Sequence, residues 1–434
     1  MRKAIVAGAV VVCAAIALGS GVPSIEVNSL SQDAMARRVT VSYGLSGAPA
    51  VVTADFLMKD DGGEWKSLGA DGALTLAGDV NRLVENSGGA KEIWWYPQDE
   101  SVLQLVATGR VKAVLRAWPK DNPPDYMAID LAIGTNIHFY VSDKAVPGGV
   151  TDRRYKTDVL LMRRIPAKGV VWRMGRKSDH ELSWVSNTDT PCEVTLTNDY
   201  YIGVYPLTCG QHAKFWAVDA SGVLSGLDDP DANPVRTRWA DLRANVENGP
   251  GNRWPVERHD VVQSGLILDK MRKRTGVLLD LPTEAQWEYA CRAGTGSAFN
   301  NGKDIDSETG VSANLDEVGW YDRNSTNAVG QTVTHPVGLK KPNAWGLYDM
   351  HGNIDEICID FLGLNASRTA IDLSRSAAKL VEPEGLTLSS ERWYHAMRGG
   401  KYSSVAYMCR SAHRVGVTWD QRTGVRLWAP AVCP

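Results

Sequence analysis

Asp280-Leu281-Pro282-Thr283-Glu284-Ala285-Gln286-Trp287-Glu288-Tyr289-Ala290-Cys291-Arg292 is the stretch on which the reading of this chain turns. Its local chemistry is that of a strand end followed by a short helix. Thr283 and Gln286 have the spacing of a capping box, in which the hydroxyl accepts a backbone N–H and the amide side chain accepts one in return. Trp287 and Tyr289 are too large to leave in water, so the helix is expected to dock on a core. It is expected to end at Cys291, with Gly294 close behind.

Working outward on the N-terminal side, residues 261–273 predict an amphipathic helix with Leu266 and Met271 buried and Thr275-Gly276 as its stop. Residues 221–255 are dense in Gly, Pro, Asp and Asn and read as long surface loops. Before them, residues 193–197 alternate, residues 200–208 read as extended, and residues 209–216 read as a short helix. A domain boundary is expected near Lys168.

The first half has a different pattern. Val39, Val41, Tyr43 and Leu45 alternate with Thr40 and Ser42, which is a half-buried strand. Residues 51–57 predict a second strand, and more are expected at 74–76, 93–96 and 111–118. Short strands at this spacing suit an immunoglobulin- or fibronectin-like β-sandwich over residues 32–120. The Pro119-Lys120-Asp121-Asn122-Pro123-Pro124-Asp125 break opens a β-rich connector over 121–167, and a loop-rich domain fills 168–434. Residues after the leader to about Ser31 read as a linker.

Arg2 and Lys3 precede an apolar run from Ala4 to Leu18, with Gly19, Ser20 and Gly21 following. That is the make-up of a secretory signal peptide over residues 1–22, which predicts an exported chain that is secreted, periplasmic or held in the cell envelope. No other segment is apolar enough to span a bilayer. Export implies an oxidising compartment, so Cys192, Cys209, Cys291, Cys358, Cys409 and Cys433 are candidates for pairing. The 434 residues carry 47 Lys and Arg against 50 Asp and Glu, interspersed, so no basic stripe points to nucleic acid. Fifteen Trp against five Phe suit a fold whose loops are pinned by large rings, and would also suit a Trp-lined binding face.

Four motifs in order resemble the sulfatase-modifying-factor, or formylglycine-generating enzyme, family. They are Leu281-Pro282-Thr283-Glu284-Ala285-Gln286-Trp287-Glu288-Tyr289-Ala290-Cys291-Arg292-Ala293-Gly294-Thr295, then Asn343-Ala344-Trp345-Gly346-Leu347-Tyr348-Asp349-Met350-His351-Gly352-Asn353, then Arg398-Gly399-Gly400, then Gly424-Val425-Arg426-Leu427. The resemblance runs from about Val194 to the end. It implies a C-type-lectin-related α+β domain that is loop-rich, here preceded by the all-β domain. Activity does not follow from fold alone.

In the family's enzymes, a copper ion on two cysteines and molecular oxygen convert a sulfatase cysteine to formylglycine. The first copper cysteine lies four residues beyond the second glycine of the Arg-Gly-Gly motif, which here is Ser404. A hydroxyl is a hard, neutral ligand and does not replace a thiolate on copper(I). Without gaps, Cys409 falls at the second copper cysteine. A gapped alignment instead matches Cys409-Arg410-Ser411-Ala412-His413-Arg414 to a later segment, whose cysteine pairs in the family with the one here at Cys291. That alignment implies a Cys291–Cys409 disulfide, worth about 4 kcal/mol by the chain-entropy model. The resemblance also implies calcium at Asp349, Gly352, Ile354 and Glu356, with a second site beginning at Asn314-Leu315. Oxygen ligands on a tight glycine-containing loop suit that ion. None of the eight histidines has the spacing of a zinc helix.

The expectation is therefore an exported family member that is not an oxidase and acts as a binding or surface module for a protein or glycan ligand. The alternative is a formylglycine-generating oxidase acting on an exported sulfatase, with Cys409 as a surviving copper ligand. A purely structural envelope component is the third reading.

Overall fold

In the computed structural model the described residues are 21–33, 35–68, 75–97, 105–134, 136–176, 189, 191–215, 230–238, 267–361, 380–381, 395–417 and 422–432. Residues 1–20 of the expected signal peptide, and 221–229 and 239–255 of the expected loops, lie outside them. The chain divides into two units. One holds the chain up to Ala128, with Ile137–Asp152 and the end from Ala431; the other holds Ile129–Asn136 and Arg153–Pro430. Strands outnumber helices in both.

Among the described residues, eight strands of the first unit form two sheets: β1 (Ser24–Asp33), β2 (Arg38–Ser46), β3 (Ala50–Lys59), β4 (Trp65–Ser67), β5 (Thr75–Gly78), β6 (Arg82–Val84), β7 (Lys91–Tyr96) and β8 (Val111–Pro119). The first sheet runs β1-β2-β7-β5. In the second, β8 pairs along most of β3, while β4 and β6 share the other edge of β3 at its two ends. The expected linker up to Ser31 is instead β1. A register shift between Val27 and Ser29 lets both Ile25 and Leu30 turn inward, a bulge that period-2 counting does not detect.

Alternation sets the register. Val39, Val41, Tyr43 and Leu45 all face the core, with Val39 opposite Trp95 and Val41 opposite Ile93. Phe56 of the other sheet meets Trp95 with ring centroids 4.3 Å apart. Burying each such side chain is worth about 1.5–3 kcal/mol. Tyr43 satisfies its hydroxyl on the Asp79 carbonyl at 2.6 Å. Gly78 has φ +89°, and a Cβ there would lie 2.4 Å from the Glu92 carbonyl oxygen, so the β5–β7 pairing requires glycine.

The second unit is built of small sheets joined by long loops. Strand Val159–Ile165 pairs with Tyr200–Gly203, which pairs with Trp428–Pro430. Val170–Met174 pairs with Cys192–Leu196, and that strand runs parallel to Leu380–Val381. Glu356–Phe361 pairs with His395–Arg398, which pairs with Val415–Val417. The expected helix near 261–273 is observed as Ile267–Thr275, with Gly276 at φ +72° after it; Leu266 lies outside the described residues and Met271 is buried. The helix expected over 209–216 is Cys209–Ala213, with Thr208 and Gln211 forming a capping box that the sequence reading missed.

The helix at the centre of this unit is Glu284–Arg292. Its capping box forms as expected: Thr283 Oγ1 accepts from Gln286 N at 3.1 Å, and Gln286 Oε1 accepts from Thr283 N at 2.9 Å. It runs one residue past Cys291 and stops where Ala293 takes the left-handed conformation at φ 45°. Asn343 Nδ2 donates to the Ala290 and Cys291 carbonyls, at 2.7 and 3.1 Å, in the last turn. Trp287, Ala290 and Cys291 pack with Ile165, Tyr200, Ile202, Leu347, Met350 and Ala396 in one core. Gly399 lies under Trp287: a Cβ there would be 3.2 Å from Trp287 Cζ2.

Candidate functional site

The side chains that the motifs singled out converge around this helix. Most are charged, and they are buried. Glu284 and Glu288 lie one turn apart on the same face. Arg398, the arginine of Arg-Gly-Gly, spans them: Nε donates to Glu284 Oε1 at 2.9 Å and Nη1 to Glu288 Oε2 at 3.0 Å. Arg414 adds a second guanidinium on Glu284, with Nε at 2.8 Å and a very short Nη2–Oε2 contact. Arg292 holds Glu288 Oε1 at 2.8 Å, and Gly175 N donates to the same oxygen at 2.8 Å. Burial alone would raise the Glu284 carboxyl, but the Arg414 and Arg398 guanidiniums outweigh it and hold Glu284 below the usual carboxylate range.

Asp360 closes the other end of this network. Its Oδ2 accepts the Glu284 backbone N–H at 2.5 Å, which satisfies one of the open donors of the helix. Burial, and then the neighbouring Glu284 charge, push the Asp360 carboxyl up to about 7.

A second buried pair sits beside the first. Arg426 forks onto Glu356, with Nη2 on Oε1 at 2.7 Å and Nε on Oε2 at 2.8 Å. Trp287 Nε1 donates to Glu356 Oε2 at 2.5 Å, so the fourth motif meets the first through one carboxylate.

Ser404 and Cys409, the positions expected for copper in the ungapped alignment, both lie inside the fold. Ser404 Oγ accepts from Lys401 N at 3.1 Å, closing a tight turn. Cys409 is fully buried, in a cluster with Phe299, Leu315, Val318, Tyr321 and Ala406. Its Sγ faces the Val405 carbonyl at 3.9 Å. Burial, then the Asp355 and Asp322 charges, push its thiol well above the ordinary range, which disfavours the thiolate that a soft metal needs. Among the described residues no three His, Cys, Asp or Glu side chains gather as a metal site would require.

The expected Cys291–Cys409 disulfide is not formed; both are free thiols, as are Cys192, Cys209 and Cys358. Their surroundings explain this. Cys291 Sγ lies among Ser411 Oγ at 3.6 Å, the Met350 carbonyl at 3.8 Å and His351 Nε2 at 3.8 Å. Burial pushes its thiol up to about 12. The His351 imidazole links the two cysteines without a covalent bond. Asn300 N donates to Nε2 at 3.0 Å, so Nδ1 carries the proton and donates to the Cys409 carbonyl at 2.7 Å. Burial pushes the imidazole down to about 4, outweighing the Cys409 carbonyl, which favours the charged ring.

The residues expected to bind calcium are also placed. Asp349, Gly352, Ile354 and Glu356 share one buried turn, with Asp349 at φ 55° and Gly352 at φ 72°. Asp349 Oδ2 accepts from Gly338 N at 2.7 Å and Oδ1 from Asn353 Nδ2 at 3.3 Å. Glu356 has both oxygens on Arg426. Asn314 and Leu315 sit in the short helix Ala313–Asp316, where Asn314 Nδ2 donates to the Asp304 carbonyl at 2.9 Å and the Leu315 carbonyl accepts from Val318 N at 3.0 Å.

Sequence reading missed the roles of Arg292, Arg414, Arg426 and Asp360. Arg426 had a usable signal: it is the one charge between Val425 and Leu427, and such a charge is buried only when paired.

The sulfatase-modifying factor enzyme 1-like domain matches residues 167–428. The chain belongs to this family. It is similar to the formylglycine-generating enzyme of Mycobacterium tuberculosis, 40% identical over 185 residues that are 40% of this chain and 60% of that one. The enzyme of Thermomonospora curvata is 31% identical over 123 residues, 28% of this chain and 38% of its own. A protein named chaperone protein LppX from Paenibacillus barcinonensis is 36% identical over 188 residues, 38% of this chain and 63% of its own. The match thus spans less than two thirds of each relative. The relatives it matches thus include proteins named for generating formylglycine and one named a chaperone.

Proposed function

We propose that this chain is an exported member of the sulfatase-modifying-factor family that binds a protein or glycan ligand and does not act as a copper oxidase. The observation that carries the reading is Ser404, a hydroxyl bound into a turn where the enzymes supply a thiolate. The burial of Cys409 supports it, since the thiol at the second copper position of the ungapped alignment is closed off from solvent. In this reading the second unit is the C-type-lectin-related domain over 168–434. The strands of the first unit form an immunoglobulin- or fibronectin-like module over 32–120, joined by a connector over 121–167. The leader over 1–22 directs the chain to the envelope or beyond, and the positioned ligand is met there. No described helix is long and apolar enough to cross a membrane.

The test is an oxygen-uptake assay with copper-loaded full-length protein and a cysteine-containing sulfatase peptide, followed by the mass of the peptide. No uptake and no loss of peptide thiol is the expected result. Turnover that disappears in Cys409→Ala would establish the oxidase reading instead.

A further inference from the structure

The family resemblance implies calcium on the 349–356 loop, yet the Glu356 carboxylate there is already neutralised by Arg426. Arg426 is fully buried, and its guanidinium reaches across the loop. Nη2 donates to Glu356 Oε1 at 2.7 Å, to the Tyr348 carbonyl at 2.8 Å and to the Asp349 carbonyl at 3.4 Å. Nη1 donates to the Gly203 and Val204 carbonyls at 2.8 and 3.1 Å, and Nε to Glu356 Oε2 at 2.8 Å. The other Glu356 lone pairs face Trp287 Nε1 at 2.5 Å. The Gly352 carbonyl is likewise committed, to Ile354 N at 2.7 Å.

Calcium takes six to eight oxygens at about 2.3–2.6 Å, and it would have to draw Glu356 away from this fork. Arginine cannot give up its proton to relieve the clash. A divalent ion added beside it would leave a buried guanidinium without its carboxylate, and losing one partner of a buried pair costs about 3–5 kcal/mol. The donor set therefore does not fit the ion. We infer that Arg426 is the resident cation of the 349–356 loop, and that this loop forms and holds without calcium. The guanidinium joins three separate segments: the loop itself, the turn after strand Tyr200–Gly203, and the C-terminal 424–427 stretch. This inference rests on the family assignment only for the comparison with calcium; the ion pair stands independently, and failure of the non-oxidase reading would not affect it.

The experiment uses the full chain stripped with EGTA, titrated with calcium chloride by calorimetry and melted with and without the metal. The expected result is no saturable heat and an unmoved melting temperature. Saturable binding that is lost in Asp349→Asn, with a calcium-dependent rise in melting temperature, would overturn the inference. Saturable binding that survives Asp349→Asn lies elsewhere on the chain and leaves the loop as inferred.

Discussion

His351 stays neutral near pH 7, because burial pushes its imidazole down to about 4, and Asn300 N and the Cys409 carbonyl fix the proton on Nδ1. Nitrogen-detected NMR should show it as the neutral Nδ1–H form down to about pH 5, since an unperturbed imidazole titrates near about 6.5. An imidazolium signal at that pH would contradict the geometry. Asp360 carries the opposite linkage. Its folded-state pKa is raised, to about 7, so the fold favours the protonated acid. The stability it contributes is complete below the unfolded value of about 3.9 and is lost as pH rises towards 7. His351 has a depressed value, so its own contribution falls on acidification, and only the difference between variants isolates Asp360. Asp360→Asn keeps an oxygen for the Glu284 N–H. It should match wild type in acid and exceed it above pH 7, measured by denaturant unfolding across pH. Parallel pH profiles would show that Asp360 does not titrate as described.

At the scale of the element, the Glu284–Arg292 helix was the most legible part of the molecule. Its capping box and its buried Trp287 could both be read from residue types and spacing. The charges that fix it could not, because Arg398, Arg414 and Arg426 are more than 100 positions away along the chain, and only the fold brings them in. Thr283→Ala should cost about 1 kcal/mol, the usual value of a lost N-cap, by urea unfolding. Arg398→Gln should cost about 3–5 kcal/mol, because two buried carboxylates lose a shared partner. Arg398→Lys should recover little of it, since one ammonium cannot reproduce the fork across Glu284 and Glu288. An Arg398→Gln variant within about 0.5 kcal/mol of wild type, the range of an unremarkable surface change, would mean the network does not hold the helix.

For the molecule as a whole, the sequence reading gave β2, β3, β5, β7 and β8 of the first unit but not β4 or β6, and in β2 alternation also gave which side chains face inward. It failed at β1, where a bulge breaks the period, and the linker expectation followed from that. In the second unit the cysteine pairing implied by resemblance gave way to a histidine relay, which no spacing of cysteines could reveal. Two readings of the thiols can be separated directly. Alkylation of the unreduced, denatured protein should label both Cys291 and Cys409, whereas under native conditions Cys192, the half-buried one of the five described thiols, should react ahead of the rest. A linked Cys291–Cys409 peptide in the unreduced digest would contradict this. The claim on which the functional reading depends is that no pair of thiolates is presented to a soft metal. Copper(I) competition against a chromogenic chelator tests it most directly, on the reduced full-length chain. The account predicts that Cys409→Ala takes as much copper from the chelator as wild type does. One equivalent drawn off by wild type and absent from that variant would contradict it.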